Sequence, residues 1–214
     1  MGKQVKGAGI ILDNYEELKP FIKFEDQDTF YFLEVLKRRK DNPELKHQTA
    51  KLYSRFITKP ESLERAYLDV KVICESENAR AYLSILPRSL ERFTKECALE
   101  FTRRVCEGVY SSSYKIPDEI ALISKTVKKD NNMWLLDIDE NPGEVLEYLK
   151  DKVEILGKVE TFSGIHAFCK PFNYPLIFKD LEKLEDDNFK MNSGTCFGIK
   201  KSALSILYAY KRVD

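Results

Sequence analysis

A short, almost wholly apolar run from Met133 to Ile138 constrains the fold of this 214-residue chain more than any other feature. Such a run, with hydrophobic side chains facing both ways, predicts a strand that is buried on both faces of a sheet. Two carboxylates, Asp137 and Asp139, lie at its end. Because residues two apart on a strand project to the same side, we expect both carboxylates to aim at one place, with Ile138 turned back into the core.

Two interpretations of this acidic pair remain open. Two carboxylates held close together repel each other, and a divalent cation that prefers oxygen ligands, Mg²⁺ or Mn²⁺, relieves the repulsion. Alternatively, one aspartate caps the following helix and the other is solvated, although Asn141 before Pro142 would serve equally well as the cap. The sequence of this strand alone supports both interpretations equally.

A second candidate segment, Thr161 to Phe168, contains one of the two histidines of the chain. Its pattern predicts two strands joined at Ser163 and Gly164, with His166 on the face opposite to its immediate neighbours. The small residues at the turn allow the backbone to approach a phosphate closely, so His166 is a candidate phosphate contact. The alternative is a structural histidine that is hydrogen-bonded in the core.

The pattern from Asn78 to Ile199 alternates between strands and helices in the order β-α-β-α-β-β-α-β. It includes a long helix from Ser89 to Gly108, a helix from Asn173 to Leu184, and a closing strand or hairpin from Phe189 to Ile199. This order predicts an α+β fold in which helices cover one sheet.

The N-terminal third of the chain has a different pattern. Residues 75–214 are expected to form the core, and residues 1–74 a mainly helical attachment packed on it. Thr29 to Arg39 carries apolar residues at helical spacing and ends in the basic run Arg38 to Lys40. A basic run at the end of a helix compensates the helix dipole, and we favour this interpretation over contact with a nucleic-acid backbone.

Composition limits the classes of partner and compartment. Lysine plus arginine equals aspartate plus glutamate, 35 each, which argues against general polyanion binding but leaves a local basic site open. The five cysteines, odd in number and without CxxC spacing, are interpreted as buried reduced thiols, which predicts a cytoplasmic protein. Since no apolar run approaches the roughly 20 residues of a membrane helix, we expect no membrane association.

The strand-end Asp-Ile-Asp, the intervening helix and the Ser-Gly-Ile-His hairpin together resemble the first two motifs of the archaeo-eukaryotic primase superfamily, which includes phage primase-polymerases. The resemblance implies an RRM-like, primase-type sheet, with Asp137 and Asp139 as ligands of catalytic Mg²⁺ or Mn²⁺ and with Ser163 and His166 at the nucleotide. It also implies metal-dependent nucleotidyl transfer in DNA replication, in the host cytoplasm if the protein is phage-encoded. The partners would be a nucleoside triphosphate, single-stranded or primed nucleic acid, and a replication protein.

Three basic residues near these motifs, Arg80, Arg88 and Lys170, are expected to neutralise triphosphate charge at the same site. They fall within a segment, Glu75 to Thr195, that is also similar to phage proteins with a longer set of short motifs. The matching motifs in this chain are Asn78 to Tyr82, Arg88-Ser89, Asp137 to Glu140, Gly164 to His166, and Lys170 to Phe172.

The chain departs from the superfamily at the third motif, an acid on a later strand. Asn188 stands where that acid is expected, and we assign the adjacent Asp187 as the third metal ligand. An amide binds a cation less strongly than a carboxylate. The alternative function is therefore a non-catalytic phage replication or interaction protein on a degenerate primase-like scaffold.

Two other enzyme classes use similar residues. A haloacid-dehalogenase-like phosphatase also has a strand-end Asp-x-Asp, but too little chain follows Asp139 for its usual sheet, and Ser163 to His166 would have no role. A metal-dependent nuclease also combines carboxylates with histidine, and remains open.

Overall fold

The computed structural model describes residues 3–6, 9–128, 133–139, 141–173, 175–177, 197–200 and 204–213. The chain is mixed α+β, as expected, and its sheets are antiparallel. In chain order, its helices and strands are β1 (Lys3–Lys6), β2 (Gly9–Asp13), α1 (Tyr15–Leu18), β3 (Thr29–Arg38), β4 (Thr49–Ile57), α2 (Pro60–Glu77), β5 (Arg80–Ser84), β6 (Arg88–Ser89), α3 (Leu90–Cys106), α4 (Ile116–Leu122), β7 (Trp134–Ile138), α5 (Pro142–Leu149), β8 (Ile155–Glu160), β9 (Ile165–Cys169), β10 (Phe197–Lys200) and β11 (Leu204–Arg212).

These elements form two compact units, and each has its own sheet. The first unit is Met1–Asn131 with Ser202–Asp214, and the second is Asn132–Lys201. The expectation of one sheet from Asn78 to Ile199 is therefore wrong, because β5 and β6 pair within the first unit and β7 to β10 pair within the second. The observed division also differs from the expected boundary after residue 74.

The sheet of the first unit has the order β1-β2-β11-β5-β3-β4, with β6 paired to β3. Helix α2 is amphipathic, and it buries Leu63, Ala66, Val70 and Cys74 at helical spacing. On β3, Phe30 and Phe32 form a cluster with Ala121 of α4. Among the described residues, no helix is long and apolar enough to cross a membrane.

The segment from Thr29 to Arg38 is a ten-residue strand, so the helix predicted there is wrong. Its side chains are buried on both faces over the first seven positions. The apolar residues at helical spacing are thus one subset of a run that is apolar at every position from Phe30 to Leu36 except Glu34, and a run rich in aromatic and β-branched residues favours a strand. As a result residues 1–74 contain four strands and one long helix, and are not mainly helical.

The second unit confirms the local predictions around the two motifs. Strand β7, helix α5 and the β8–β9 hairpin lie where the pattern indicated, and the sheet order is β10-β7-β9-β8 with antiparallel neighbours. Helix α5 covers one face, where Val145 and Leu149 pack with Leu136 and Ile138. Most of the helix predicted over residues 173–184 lies outside the described residues.

The cysteines only partly match the expectation of burial. Cys74 and Cys169 are buried, and burial raises the pKa of their thiols to about 12 and about 11. Cys106 is exposed, so the expected burial is wrong for this residue. It lies on α3, which buries none of its own residues.

Candidate functional site

Asp137 and His166 are directly opposite each other in the antiparallel pair of β7 and β9. Residues in such positions share one face of the sheet. His166 Nε2 lies 3.1 Å from Asp137 Oδ1, with side-chain exposures of 6% for the histidine and 23% for the aspartate. The pairing thus places the two residues on one face of the sheet, and their part in chemistry stays a prediction.

The second aspartate is held by the same hairpin. Asp139 is exposed and follows directly after β7, and Ser163 in the β8–β9 turn donates its hydroxyl to Asp139 Oδ1 at 2.6 Å. Each acid of the first motif thus has a partner from the second motif. These two contacts hold the turn against the end of β7, and they keep both carboxylates at the same end of the sheet.

Gly164 is needed because the hairpin turn passes close to β7. A Cβ on this residue would lie 1.9 Å from the Ile138 carbonyl oxygen and 2.8 Å from Asp139 Cα. Its amide donates to Thr161 Oγ1 at 2.8 Å, and the Thr161 amide donates to the Gly164 carbonyl at 2.9 Å. The Gly164 amide, expected at a phosphate, is therefore engaged within the turn. Sequence reasoning does not single out Thr161, although its position three residues before the glycine is a usable signal.

The surroundings of the Asp137–His166 pair are apolar. By strand alternation Leu135 and Phe168 lie on the same face of the sheet, and both are fully buried. Val159, opposite His166 on β8, is also buried. A contact between a carboxylate and an imidazole is electrostatically stronger in such surroundings than in water. The histidine is therefore fixed in position, while the more exposed aspartate remains accessible.

The helix-cap interpretation of the acidic pair does not describe this site. The N-cap of α5 is Asn141, whose side chain makes no capping hydrogen bond, and Pro142 occupies the first turn. The hydrogen bond of Asp139 goes to Ser163. Neither aspartate of the pair is the cap, so both carboxylates remain candidates for a ligand.

The two candidate arginines lie in the first unit and are buried there. Arg80 forms an ion pair with Asp41 at 2.6 Å, and the two side chains are 5% and 3% exposed. Arg88 is fully buried and donates to the Ile123 carbonyl and to Thr126 Oγ1. Burial lowers the pKa of Arg88 to about 10. Both guanidinium groups are thus engaged within the first unit, and their expected binding of triphosphate stays a prediction.

Lys170 and Asp187 complete the expected set. Lys170 follows β9 and forms an ion pair with Glu154 at 2.9 Å. It lies four residues beyond His166, roughly 13 Å along an extended chain, at the end of β9 away from the hairpin turn. Asp187, expected as the third metal ligand, lies outside the described residues, as does Asn188.

The donors of the site fit a hard divalent cation. Asp137 and Asp139 offer carboxylate oxygens, which Mg²⁺ and Mn²⁺ prefer. A carboxylate has two oxygens and about four acceptor positions, so one hydrogen bond from a neighbour leaves capacity for a ligand. Over the part of the chain that the structure describes, no group of three or more His, Cys, Asp or Glu side chains is placed to hold a metal. Two aspartates alone are fewer ligands than a complete coordination shell requires, and metal binding at this site stays a prediction.

A groove of about 770 Å³ lies elsewhere on the second unit, between α5 and β8. Leu146, Val153 and Leu156 supply apolar side chains, and Lys150 and Lys158 supply charge. None of the candidate site residues lines it. The candidate chemistry is therefore separate from this groove.

Comparison of the chain with protein-family models, with curated proteins and with solved structures gives no match. The resemblance to primases consequently rests on the two motifs and on the geometry they form.

Proposed function

We propose that this chain is a metal-dependent nucleotidyl transferase of DNA replication, similar to primase-polymerases and acting in the cytoplasm. The observation that carries the proposal is the matching of the two motifs, in which His166 contacts Asp137 and Ser163 contacts Asp139. The two motifs are separated in sequence by a helix and a strand. Their convergence is what a shared site for a cation and a nucleotide requires.

The order of the strands adds support. Counted within the second unit, β10-β7-β9-β8 is the order 4-1-3-2, and the elements preceding β10 run β-α-β-β. A β-α-β-β-α-β unit is the ferredoxin-like arrangement that RRM sheets share. Its second helix would fall in residues 170–196, where the sequence predicts a helix from Asn173 to Leu184. This order supports an RRM-like, primase-type sheet.

Each residue of the site has a proposed role that follows from its chemistry. Asp137 and Asp139 would hold Mg²⁺ or Mn²⁺, which when bound neutralises triphosphate charge and stabilises the charge that develops during transfer. A carboxylate only accepts hydrogen bonds, so His166 Nε2 carries the hydrogen in its contact with Asp137. When a triphosphate is bound, we assign this N–H to a phosphate oxygen in place of Asp137. Ser163 orients Asp139.

The proposal is tested by nucleotide incorporation on a primed DNA template, with and without Mn²⁺. We expect the wild type to extend the primer and Asp137→Ala to reduce extension by at least about 100-fold, the scale of a lost charge-stabilising group. Asp151→Ala removes an exposed carboxylate of the same unit and should retain activity. No extension by the wild type, or equal extension by Asp137→Ala, contradicts the proposal.

A second candidate function is a non-catalytic replication or interaction protein. The exposure of large apolar side chains on α3 favours it, since Phe101 is 54% and Val105 41% exposed and the two lie one helical turn apart. Exposed apolar side chains that lie together are typical of surfaces that bind other proteins. The same assay separates the two candidate functions, because a non-catalytic protein would bind a replication partner and would not extend the primer.

A further inference from the structure

The loop that joins β3 to β4, residues 39–48, concentrates positive charge in a chain whose formal net charge is zero. Arg39, Lys40 and Lys46 are exposed in this loop, and Arg38 ends the strand before it. Arg39 and Lys46 have no ion-pair partner among the residues that the structure describes. The tip of the hairpin is therefore a local basic surface.

Acidic residues of the loop do little to cancel this charge. The loop contains two, Asp41 and Glu44. Asp41 is buried against Arg80, and that pair is neutral and inaccessible. Glu44 is thus the exposed acid of the two in this loop, and it alone offsets the positive charge of the cations at the tip. The Arg80–Asp41 pair holds the base of the loop and at the same time removes one negative charge from its surface.

The loop is also fixed in shape. The Arg39 amide donates to the Gln48 carbonyl at 2.9 Å, which closes the loop. The Asn78 side chain donates to the Asp41 carbonyl at 2.7 Å, and the buried Asn42 donates to the Asn78 carbonyl at 3.0 Å. A preformed loop loses less conformational entropy when it binds a ligand.

The strand that these cations follow does not require them for a dipole. They follow a strand, so the compensation of a helix dipole that the sequence favoured does not apply, because strands carry only small net dipoles. The one loop residue with a large aliphatic side chain, Leu45, is half-buried. A loop that inserts into a lipid surface exposes large apolar side chains beside its cations, and this loop exposes none.

We propose that the β3–β4 loop, together with Arg38, binds the sugar-phosphate backbone of a single-stranded nucleic acid without reading its sequence. Arginine and lysine bind phosphate oxygens through charge-assisted hydrogen bonds, and release of counterions makes such binding depend on salt. The role of the bound strand as a template or primer rests on the proposed function. The binding itself does not, because it involves no residue of the Asp137 site.

The test is fluorescence anisotropy of a labelled oligothymidylate, titrated in EDTA over a range of salt concentrations. The test variant is Arg39→Glu/Lys46→Glu. The matched control is Lys59→Glu/Arg65→Glu, which changes the net charge equally at exposed positions of the same unit. Lys59 lies beyond the far end of β4, roughly 30 Å along an extended strand from the loop.

We expect the wild type and the control to bind alike, and the loop variant to bind at least about tenfold more weakly at low salt. The slope of log affinity against log salt should fall by about 1.4 for two lost phosphate contacts, at about 0.7 for each contact to a single strand. No binding by the wild type, or equal weakening in both variants, overturns the proposal. The proposal is also overturned if the wild type binds phosphatidylserine vesicles and not the oligonucleotide, and the loop variant loses the binding to vesicles.

Failure of the proposed function is distinguishable from failure of this inference. Asp137→Ala leaves the loop intact, and without metal it should bind the oligonucleotide like the wild type. Normal binding by both proteins with no nucleotide incorporation would reject the transferase and retain the loop as a nucleic-acid contact.

Discussion

At the scale of single residues, Asp137 and His166 form one interacting unit. The histidine is almost fully buried, and its ring nitrogen lies 3.1 Å from the carboxylate. A cation at Asp137 can use the carboxylate acceptor positions that this hydrogen bond leaves open, whereas a phosphate competes with Asp137 for the N–H of the histidine. The two residues should consequently respond differently to different ligands.

Calorimetry with Mn²⁺ and with a nucleoside triphosphate separates these roles. We expect Asp137→Ala to abolish Mn²⁺ binding, and His166→Ala to retain it. With Mn²⁺ present, His166→Ala should weaken triphosphate binding by one to two decades, because a charge-assisted hydrogen bond contributes about 1.5–3 kcal/mol. Unchanged Mn²⁺ binding in Asp137→Ala would exclude this aspartate as a ligand, and unchanged triphosphate affinity in His166→Ala would exclude the histidine.

Glu34 on β3 makes the stability of the folded protein depend on pH. Burial raises the pKa of this carboxyl; the Lys51 ammonium lowers it in part, and the Asp118 carboxylate raises it further. A raised folded-state pKa means that the neutral form is favoured by folding. The stabilisation is therefore complete below the ordinary value of 4.5 and is lost as the pH rises through the folded-state value.

Glu34→Gln removes this titration while keeping the shape of the side chain. In urea unfolding monitored by circular dichroism, the variant should gain stability over the wild type as the pH rises from below 4.5 to neutrality. A difference between the two proteins that does not change with pH would contradict a raised pKa of Glu34 in the folded state.

At the scale of elements, the β8–β9 hairpin depends on one close approach to β7. Gly164→Ala places a methyl group against the Ile138 carbonyl, so the hairpin or the end of β7 must move. We expect a loss of about 2 kcal/mol or more in the free energy of unfolding, the scale of an overpacked site. Thermal unfolding measures it.

Gly143 in α5 is the matched control, because a Cβ there meets nothing within 4 Å. Gly143→Ala should stabilise the second unit by about 0.5–1 kcal/mol through the higher helix propensity of alanine. Similar effects of the two substitutions would show that Gly164 is not required by packing.

At the scale of the whole molecule, the first unit is discontinuous in sequence. Its strand β11 comes from the end of the chain, after the second unit, and lies between β2 and β5 in the sheet. Strand β1, by contrast, lies at the edge of the same sheet. A central strand pairs with a neighbouring strand along both of its edges, whereas an edge strand pairs along only one.

Truncation at either end tests this difference. Deletion of residues 202–214 removes β11 and should abolish cooperative unfolding of the first unit, whereas deletion of residues 1–8 removes only β1 and should preserve it. Hydrogen exchange of α2 and β3 amides reports the outcome. Retained protection in the protein without β11 would mean that the first unit folds without its central strand.

Local sequence determined the elements that carry the two motifs. The apolar run before Asp137, the Pro142 that starts α5, and the small residues at Ser163-Gly164 each specify a conformation through backbone geometry over a few residues. The same local reasoning failed for Thr29 to Arg38, because a run that is apolar at nearly every position fits both the helical and the strand period. Only the burial of both faces decided in favour of a strand.

Sequence alone therefore determined which residues share a strand face and where the α5 helix and the β8–β9 turn lie. Tertiary structure decided which of those faces meet. It brought His166 to Asp137 and Ser163 to Asp139, it separated one expected sheet into two, and it joined Arg80 to Asp41 across 39 positions. The physical reason is range: spacing along a strand follows from covalent geometry, whereas pairing between distant segments follows from which arrangement buries the most apolar surface and leaves the fewest charges unpaired.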